Sequence, residues 1–461
     1  MSNHGLFDEF PETSAKEWKQ KIQFQLDGAN YNDTLVWESP EGIKVKPFYT
    51  REDLSKLPQT TEPKEWNLAQ TVFVKDSTAA NTKAKYLLQN GVESLSFVIT
   101  DVHTDIATLL EGIPLDNCSL FFNFRVLSQS LITQIINHTK DKQTFVFLQI
   151  DVIGHLARTG NWFINEEEDF SILKETIKEC ELYNNISVLG VYGDLYQNAG
   201  ANLIQQLAYS LAHANEYLNY AEQHNVVNPK PIVISISIGG NYFFEIAKIK
   251  AFKLLWRTVL AEYPWTVDCH IYAHPTKRNK TLYDYHNNIV RATTECMSAI
   301  LGEANTINNL PFDFFFHKEN DFSERIARNQ LLLLKHESEL NTSHAAADGT
   351  YYIASLTQQL AQQGLNLFKN IESKGGFLSM LKKGDIQKKI WDSAKKEQTQ
   401  LEENAVVLVG TNTYPNKNEK ANTALEINPF SKTNPRKTSI IPIIEKRLSE
   451  KLEQKRLKDE E

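Results

Sequence analysis

Residues 191–218 read VYGDLYQNAGANLIQQLAYSLAHANEYL, and the fold turns on how that stretch is parsed. Just before it, the apolar run ISVLGVYG, residues 186–193, stops at Gly193. Asn198 and Gly200 then open a long segment rich in Ala, Leu and Tyr. This is the pattern of a buried strand feeding the helix that covers it. In a parallel α/β protein, chemistry gathers where a strand ends and its helix begins. Asp194, Leu195 and Tyr196 occupy such a corner. Asp and Tyr can serve there as base or acid, whereas Leu has no chemistry to offer.

Outward from that corner the same alternation repeats. TVFV, SLSFVIT, SLFFNF, TFVFLQIDV, PIVISISIG and VDCHIYA read as further strands. Helical stretches such as SQSLITQIINHT, ILKETIKECEL and EIAKIKAFKLLWRTVLAEY fall between them. Continuous apolar strands separated by helices imply a parallel sheet covered on both faces, and seven or eight such units predict an α/β fold of the (β/α)8 TIM-barrel type. The barrel is assigned to residues 61–430, with a C-terminal helical extension after about residue 320 and one more strand-like run, AVVLVG, at 405–410.

Residues 1–60 read as an arm of helix and extended chain. In SAKEWKQKIQFQL, residues 14–26, Ser14 is followed three residues later by Glu17, a capping box. Ala15, Trp18, Ile22 and Leu26 form one apolar stripe, and Gly28 suits the helical stop. A lone helix of that length is marginal in water, so the stripe must dock, either on its own domain or on a partner chain. Trp18, Ile22 and Leu26 are the candidate subunit contacts. SPEGIKVKPFYTREDL, residues 39–54, follows as an extended segment. At the other end, residues 431–461 read as a charged C-terminal helix or shortened linker, and IIEKRLSEKLEQKRLKDEE as a solvated face.

Composition narrows the function classes. The 461 residues carry a formal net charge of −8, and the mean hydropathy is −0.40. That balance argues against a general nucleic-acid binder. No apolar run approaches the roughly 18 residues that span a bilayer, and no secretory signal is visible at the N-terminus. Cys118, Cys180, Cys269 and Cys296 lie far apart without a CxxC pair, which suits reduced thiols in a cytoplasmic protein. The sequence has no GxGxxG after a strand, Walker loop, HExxH or GxSxG. His270 and His274 lack a third ligand nearby, so no metal site is expected. Lys248, Lys250 and Lys253 lie near the start of one helix, where lysines ordinarily face solvent and occasionally gather an anion.

FYT after GIKVKP, then QNAGA, NYFFEIAKIKAFKLLW, YHNNIVRATTECMSAILG, ERIARN, ESKGG and VVLVGTNTYPN follow in that order along the chain. In order and spacing they resemble the barrel chain of adenosylcobalamin-dependent methylmalonyl-CoA mutase. The resemblance implies a barrel that, in active relatives, threads coenzyme A through its centre and abuts a separate cobalamin-binding domain.

The chain departs from the active pattern where chemistry is expected. Substrate-binding members of the family read Tyr-His-Met-Gln-Glu-Ala-Gly-Ala at the strand end quoted above. Anchored on QNAGA, the Tyr falls on Asp194, the His on Leu195, the Met on Tyr196 and the Gln on Gln197. The family His hydrogen-bonds the substrate thioester carbonyl, and Leu has no donor to replace it. A second motif, His-x-Gln-Thr-Ser-Gly, stands here as HPTKRN, which keeps His274 and places Thr276 at the Gln position. Asp194, Leu195, Tyr196, Gln197, His274 and Thr276 thus read as a degenerate pocket without catalytic residues. The family's cobalamin signature, Asp-x-His-x-x-Gly, is approached at Asp101/His103, Asp268/His270 and Asp284/His286. Ile106, Ala273 and Ile289 replace its Gly.

The resemblance therefore implies a small (beta) subunit in a shortened form, without a cobalamin domain. In that reading adenosylcobalamin belongs to a large (alpha) subunit, and this chain is its heterodimeric partner. Bulky residues in LFFNF, FVFLQI and at Tyr196 are expected to close the channel. Two other readings remain open. One is an active acyl-CoA mutase whose cobalamin domain is a separate polypeptide; the other is an acyl-CoA-binding or unrelated barrel enzyme using Asp194, Tyr196 and His274.

Overall fold

Eight short strands, each followed on its outer side by helix, close into one parallel ring. The computed structural model describes residues 9–11, 13–54, 65–227, 229–341, 344–421, 425–431 and 436–460. The strands are β1 (Asn67–Val74), β2 (Ser94–Ile99), β3 (Ser119–Phe124), β4 (Val146–Ile150), β5 (Ile186–Tyr192), β6 (Val233–Ile238), β7 (His270–Pro275) and β8 (Thr306–Asn308). They pair in chain order, and β8 closes the ring by pairing with both β7 and β1. This is the (β/α)8 barrel that the alternating pattern predicts.

Successive side chains of a strand point to opposite faces, and that alternation sorts the core. Leu120, Phe122 and Phe124 of β3 face out and join the layer between strands and helices. Phe121 faces in and packs with Ala69, Phe147, Val233 and Tyr272. The helices start on local signals: Asp76, Ser128, Asn165 and Asn202 each accept the backbone N–H three residues on.

Three local expectations are corrected. Asn198 and Gly200 do not open the long helix: a short helix, Asp194–Asn198, intervenes, and Leu203–Gln223 starts from the Asn202–Gln205 capping box. Gly200 makes the turn between them at φ 106°, where a Cβ would sit 2.5 Å from that of Ala394. AVVLVG is not a strand; Val409 makes one isolated bridge to Thr413. A closed barrel has no free edge for it to join. The charged tail is a solvated face only in part: Lys451, Gln454, Lys455, Lys458 and Asp459 are exposed, but other charges turn inward. Arg447 and Glu453 are 5% and 1% exposed. Residues 436–448 form a strap across the strand ends, where Ile443 N donates to Ala157 O (2.7 Å), Lys446 N to Asn198 O (3.0 Å) and Leu448 N to Arg278 O (2.8 Å).

The arm has two parts that behave differently. Its helix, Ala15–Gln25, carries the expected capping box between Ser14 and Glu17 and buries no residue. Trp18 is 48% and Phe24 85% exposed. The following ribbon, Trp37–Glu38 paired antiparallel with Lys44–Val45, docks on the barrel. There Trp37 meets the ring of Phe244 edge-on, Ile43 enters the core and Tyr49 lies against Tyr352. The sequence boundary at residues 60–61 lies outside the described residues.

Candidate functional site

The bore has a closed floor and an open mouth. Phe121 on β3 and Tyr272 on β7 stand on opposite walls, yet their rings are 4.9 Å apart, so they meet inside the bore. Phe147 stacks on Phe121 at 4.6 Å and lies 4.5 Å from His270. His270 Nε2 is bonded to Thr306 Oγ1 across the β7–β8 seam at 2.9 Å. Burial, with the Lys253 charge adding to it, pushes His270 down to about 3, so its ring is neutral at ordinary pH. Burial likewise pushes Tyr272 up to about 12, against hydrogen bonds from Ser96 and Asn308.

Above this floor lies a cavity of about 310 Å³, walled in part by Ser96, Asn123, Gln149 and Ser235. Its rim carries charge: Arg125 just past β3, Arg158 on the helix after β4, Asp194 past β5, and His274 and Lys277 from β7 and its loop. Arg158 Nη2 is 3.5 Å and His274 Nε2 3.7 Å from Asp194 Oδ2, while Asp194 Oδ1 has no hydrogen-bond partner among the described residues. The strap lays Glu445 on the rim, where it meets Arg158 at 3.0 Å and Lys277 at 3.3 Å. Burial would raise Glu445, but Lys277 and Arg158 outweigh it and hold the carboxyl at about 2. Burial pushes His274 below its usual value despite the opposing pull of Asp194.

Of the six pocket positions read from the sequence, Asp194 and His274 line the mouth cavity. Leu195 is buried in the main core. Tyr196 faces outward, its hydroxyl 2.8 Å from His213 Nδ1 and its ring against Tyr209 and Phe377. It therefore takes no part in closing the bore; Phe121 and Phe147, from LFFNF and FVFLQI, do so together with Tyr272. Gln197 accepts from Lys248 Nζ at 3.2 Å, and Thr276 Oγ1 donates to Asn198 Oδ1 at 3.0 Å. Lys248 is thus a buried structural cation, also bonded to Ser237 O and Gln206. Lys250 pairs with Glu303 and Asp348, and Lys253 donates to Glu303 O. Arg125 and Arg158 were not among the residues read from the sequence.

The three Asp–His pairs do not have the geometry of a cobalt ligand held by a carboxylate. Asp101 accepts from the backbone N–H of His103 rather than from its ring. His270 is locked in the bore floor, and Asp268 faces Arg257. His286 stacks between Tyr285 and Phe312. Among the described residues, no three His, Cys, Asp or Glu side chains gather as a metal site.

Comparison with known proteins agrees with the motif order. Residues 98–459 match the family profile described as methylmalonyl-CoA mutase. The chain belongs to the methylmalonyl-CoA mutase family. It is 32% identical to the methylmalonyl-CoA mutase small subunit of Porphyromonas gingivalis, over 90% of this chain and 72% of that one. It is 28% identical to the methylmalonyl-CoA mutase of Rhizobium meliloti, over 90% of this chain and 66% of the relative. The mitochondrial methylmalonyl-CoA mutase of Homo sapiens is 26% identical, over 91% and 63%. The chain thus spans about two thirds of the length of these last two relatives. Among the described residues, no helix of this methylmalonyl-CoA mutase family member is long and apolar enough to cross a membrane.

Proposed function

We propose that this chain is a non-catalytic small (beta) subunit of a cytoplasmic, heterodimeric methylmalonyl-CoA mutase. It stabilises a large subunit that binds adenosylcobalamin and interconverts methylmalonyl-CoA and succinyl-CoA. The observation that carries this reading is the filled bore. Coenzyme A threads the barrel centre in active relatives, and here Phe121, Phe147 and Tyr272 occupy that path. Leu195, at the family His position, supports it: its side chain is apolar and faces the core. The name of the Porphyromonas gingivalis relative supports it as well. The reading as a barrel enzyme using Asp194, Tyr196 and His274 loses one of its three groups, because Tyr196 faces away from the cavity.

The arm helix offers the grip. Its Trp18–Ile22–Leu26 stripe is only partly covered by its own chain, and Trp is enriched at interface hot spots. Burying each large side chain contributes roughly 1.5–3 kcal/mol. Replacing Trp18 and Ile22 together by Ala is therefore expected to weaken assembly with the large subunit by several kcal/mol.

The test is to purify this chain alone, titrate it with adenosylcobalamin and assay methylmalonyl-CoA turnover, then repeat both with the co-purified large subunit. The expected result is no spectral change and no turnover without the large chain. Turnover, or the spectrum of a His-ligated cobalt, from this chain alone overturns the proposal.

A further inference from the structure

We infer that the mouth cavity is a binding site for a small hydroxycarboxylate, whose carboxylate docks on Arg125 and whose hydroxyl donates to Asp194. This goes beyond the subunit assignment and does not depend on it.

Four observations meet in the cavity. Arg125 lines it, exposed at the mouth, and among the described residues its guanidinium has no hydrogen bond or ion pair. Desolvation and the neighbouring Arg158 lower the Arg125 pKa, while Tyr192, Glu445 and Asp194 pull it back up. A guanidinium is a planar fork suited to a carboxylate. Second, Asp194 is 6% exposed, and among the described residues its Oδ1 lacks a partner while Oδ2 has only the long contacts to Arg158 and His274. A buried carboxylate oxygen in that state rewards any ligand that donates to it. Third, Asn123 Oδ1 on the cavity wall is also buried without a partner among the described residues. Fourth, Gln149 adopts φ 45° inside a strand, at an irregularity in the β4–β5 register, and its side chain lines the cavity. Such strain concentrates at sites where a side chain must be aimed.

The chemistry selects the ligand. Among the described residues, the orphan acceptors Asp194 Oδ1 and Asn123 Oδ1 share the cavity with Arg125 and with Arg328, whose Nε is also unpartnered, and that set asks for an anion that also donates hydrogen bonds. Arg158 already opposes the Asp194 charge, so a neutral hydroxyl suits Asp194 better than an ammonium would. The floor of Phe121, Phe147 and Tyr272 excludes a long pantetheine chain, and about 310 Å³ sits at the small end of ligand cavities.

Calorimetric titration of the full chain with L-malate, succinate, L-aspartate, inorganic phosphate and coenzyme A tests this. L-malate is expected to bind with a dissociation constant below about 1 mM, and succinate, which lacks the hydroxyl, about tenfold more weakly. Aspartate and phosphate are expected to bind more weakly than L-malate, and coenzyme A not at all. Arg125→Ala should weaken L-malate at least about tenfold, and Asp194→Ala should erase the preference over succinate. Melting of each ligand-free variant checks the fold, and Arg125→Lys, which keeps the charge but loses the fork, serves if Arg125→Ala is unstable. Equal binding of malate and succinate, tighter binding of aspartate, phosphate or coenzyme A, malate binding unchanged without Arg125, or no binding of any probe each overturns the proposal.

Discussion

The two ends of the chain invert what their compositions suggest. The arm helix carries a Trp, an Ile and a Leu on one stripe and buries none of them fully. The tail is dense with Lys, Arg and Glu, yet it drives Arg447 and Glu453 into the protein. The difference lies in what each end meets. Arg447 donates to Lys280 O (3.0 Å) and Glu453 Oε1 (2.9 Å), and its guanidinium lies 4.1 Å from the centre of the Phe315 ring. Glu453 Oε1 in turn accepts from Leu282 N at 2.8 Å. Every charge in that cluster has a partner, so burial is tolerable. On the arm stripe, Trp18 meets the ring of Phe48 edge-on at 6.5 Å, and Ile22 and Leu26 are only partly covered. Burial follows complementarity of partners more closely than hydropathy of the segment.

Three measurements test that contrast. The largest effect is expected from Arg447→Ala, which strands Glu453 in the interior. Urea unfolding should show a loss of about 3–5 kcal/mol. A loss below about 1 kcal/mol would mean that the tail is only laid on the surface.

Next comes acid. Glu445 has a folded pKa of about 2 against an ordinary value of 4.5. A depressed carboxylate contributes stability that is fully present above its unfolded pKa and is lost as pH falls through the folded one. The strap contribution, up to about 3 kcal/mol, should therefore fade between about pH 4.5 and pH 2. Glu445→Gln should flatten that part of the wild-type profile. Identical acid profiles for the two proteins would place the ion pairs of Glu445 outside the stability of the fold.

The smallest effect belongs to the arm. In the isolated chain, Trp18 and Ile22 replaced together by Ala should shift unfolding by no more than about 0.5 kcal/mol. A shift of several kcal/mol would show that the helix is already docked on its own barrel.

Seven strands were legible because strands buried on both faces read as continuous apolar runs. The eighth, Thr306–Asn308, is three residues between polar neighbours, too short for any period to show. AVVLVG misled for the converse reason: apolar residues without a sheet edge make a loop. Capping boxes act within four residues, so the arm helix was readable from Ser14 and Glu17 alone. Within the site, the strand-end rule found Asp194, and the family motif matched by HPTKRN found His274. Applied to β3, the same rule would have pointed to Arg125, the first residue after Phe124. Arg158 and Glu445 gave no comparable signal. Their meeting spans 287 residues, and only the closed barrel brings the two segments together.

The strap sets an order of events during folding. Its residues bind groups far back along the chain: Ser439 N reaches Asn161 Oδ1 across 278 positions, and Arg278 Nη1 reaches Lys446 O across 168. Contacts of such separation form only after the entropy of a long closed loop has been met. All eight strands leave the ribosome before the strap does, so the ring can close while Arg158 and Lys277 still await Glu445. During that interval the rim is more basic than in the finished protein and open to any acidic segment nearby. Arrival of the strap brings the Glu445 carboxylate to Arg158 and Lys277 and ends that interval.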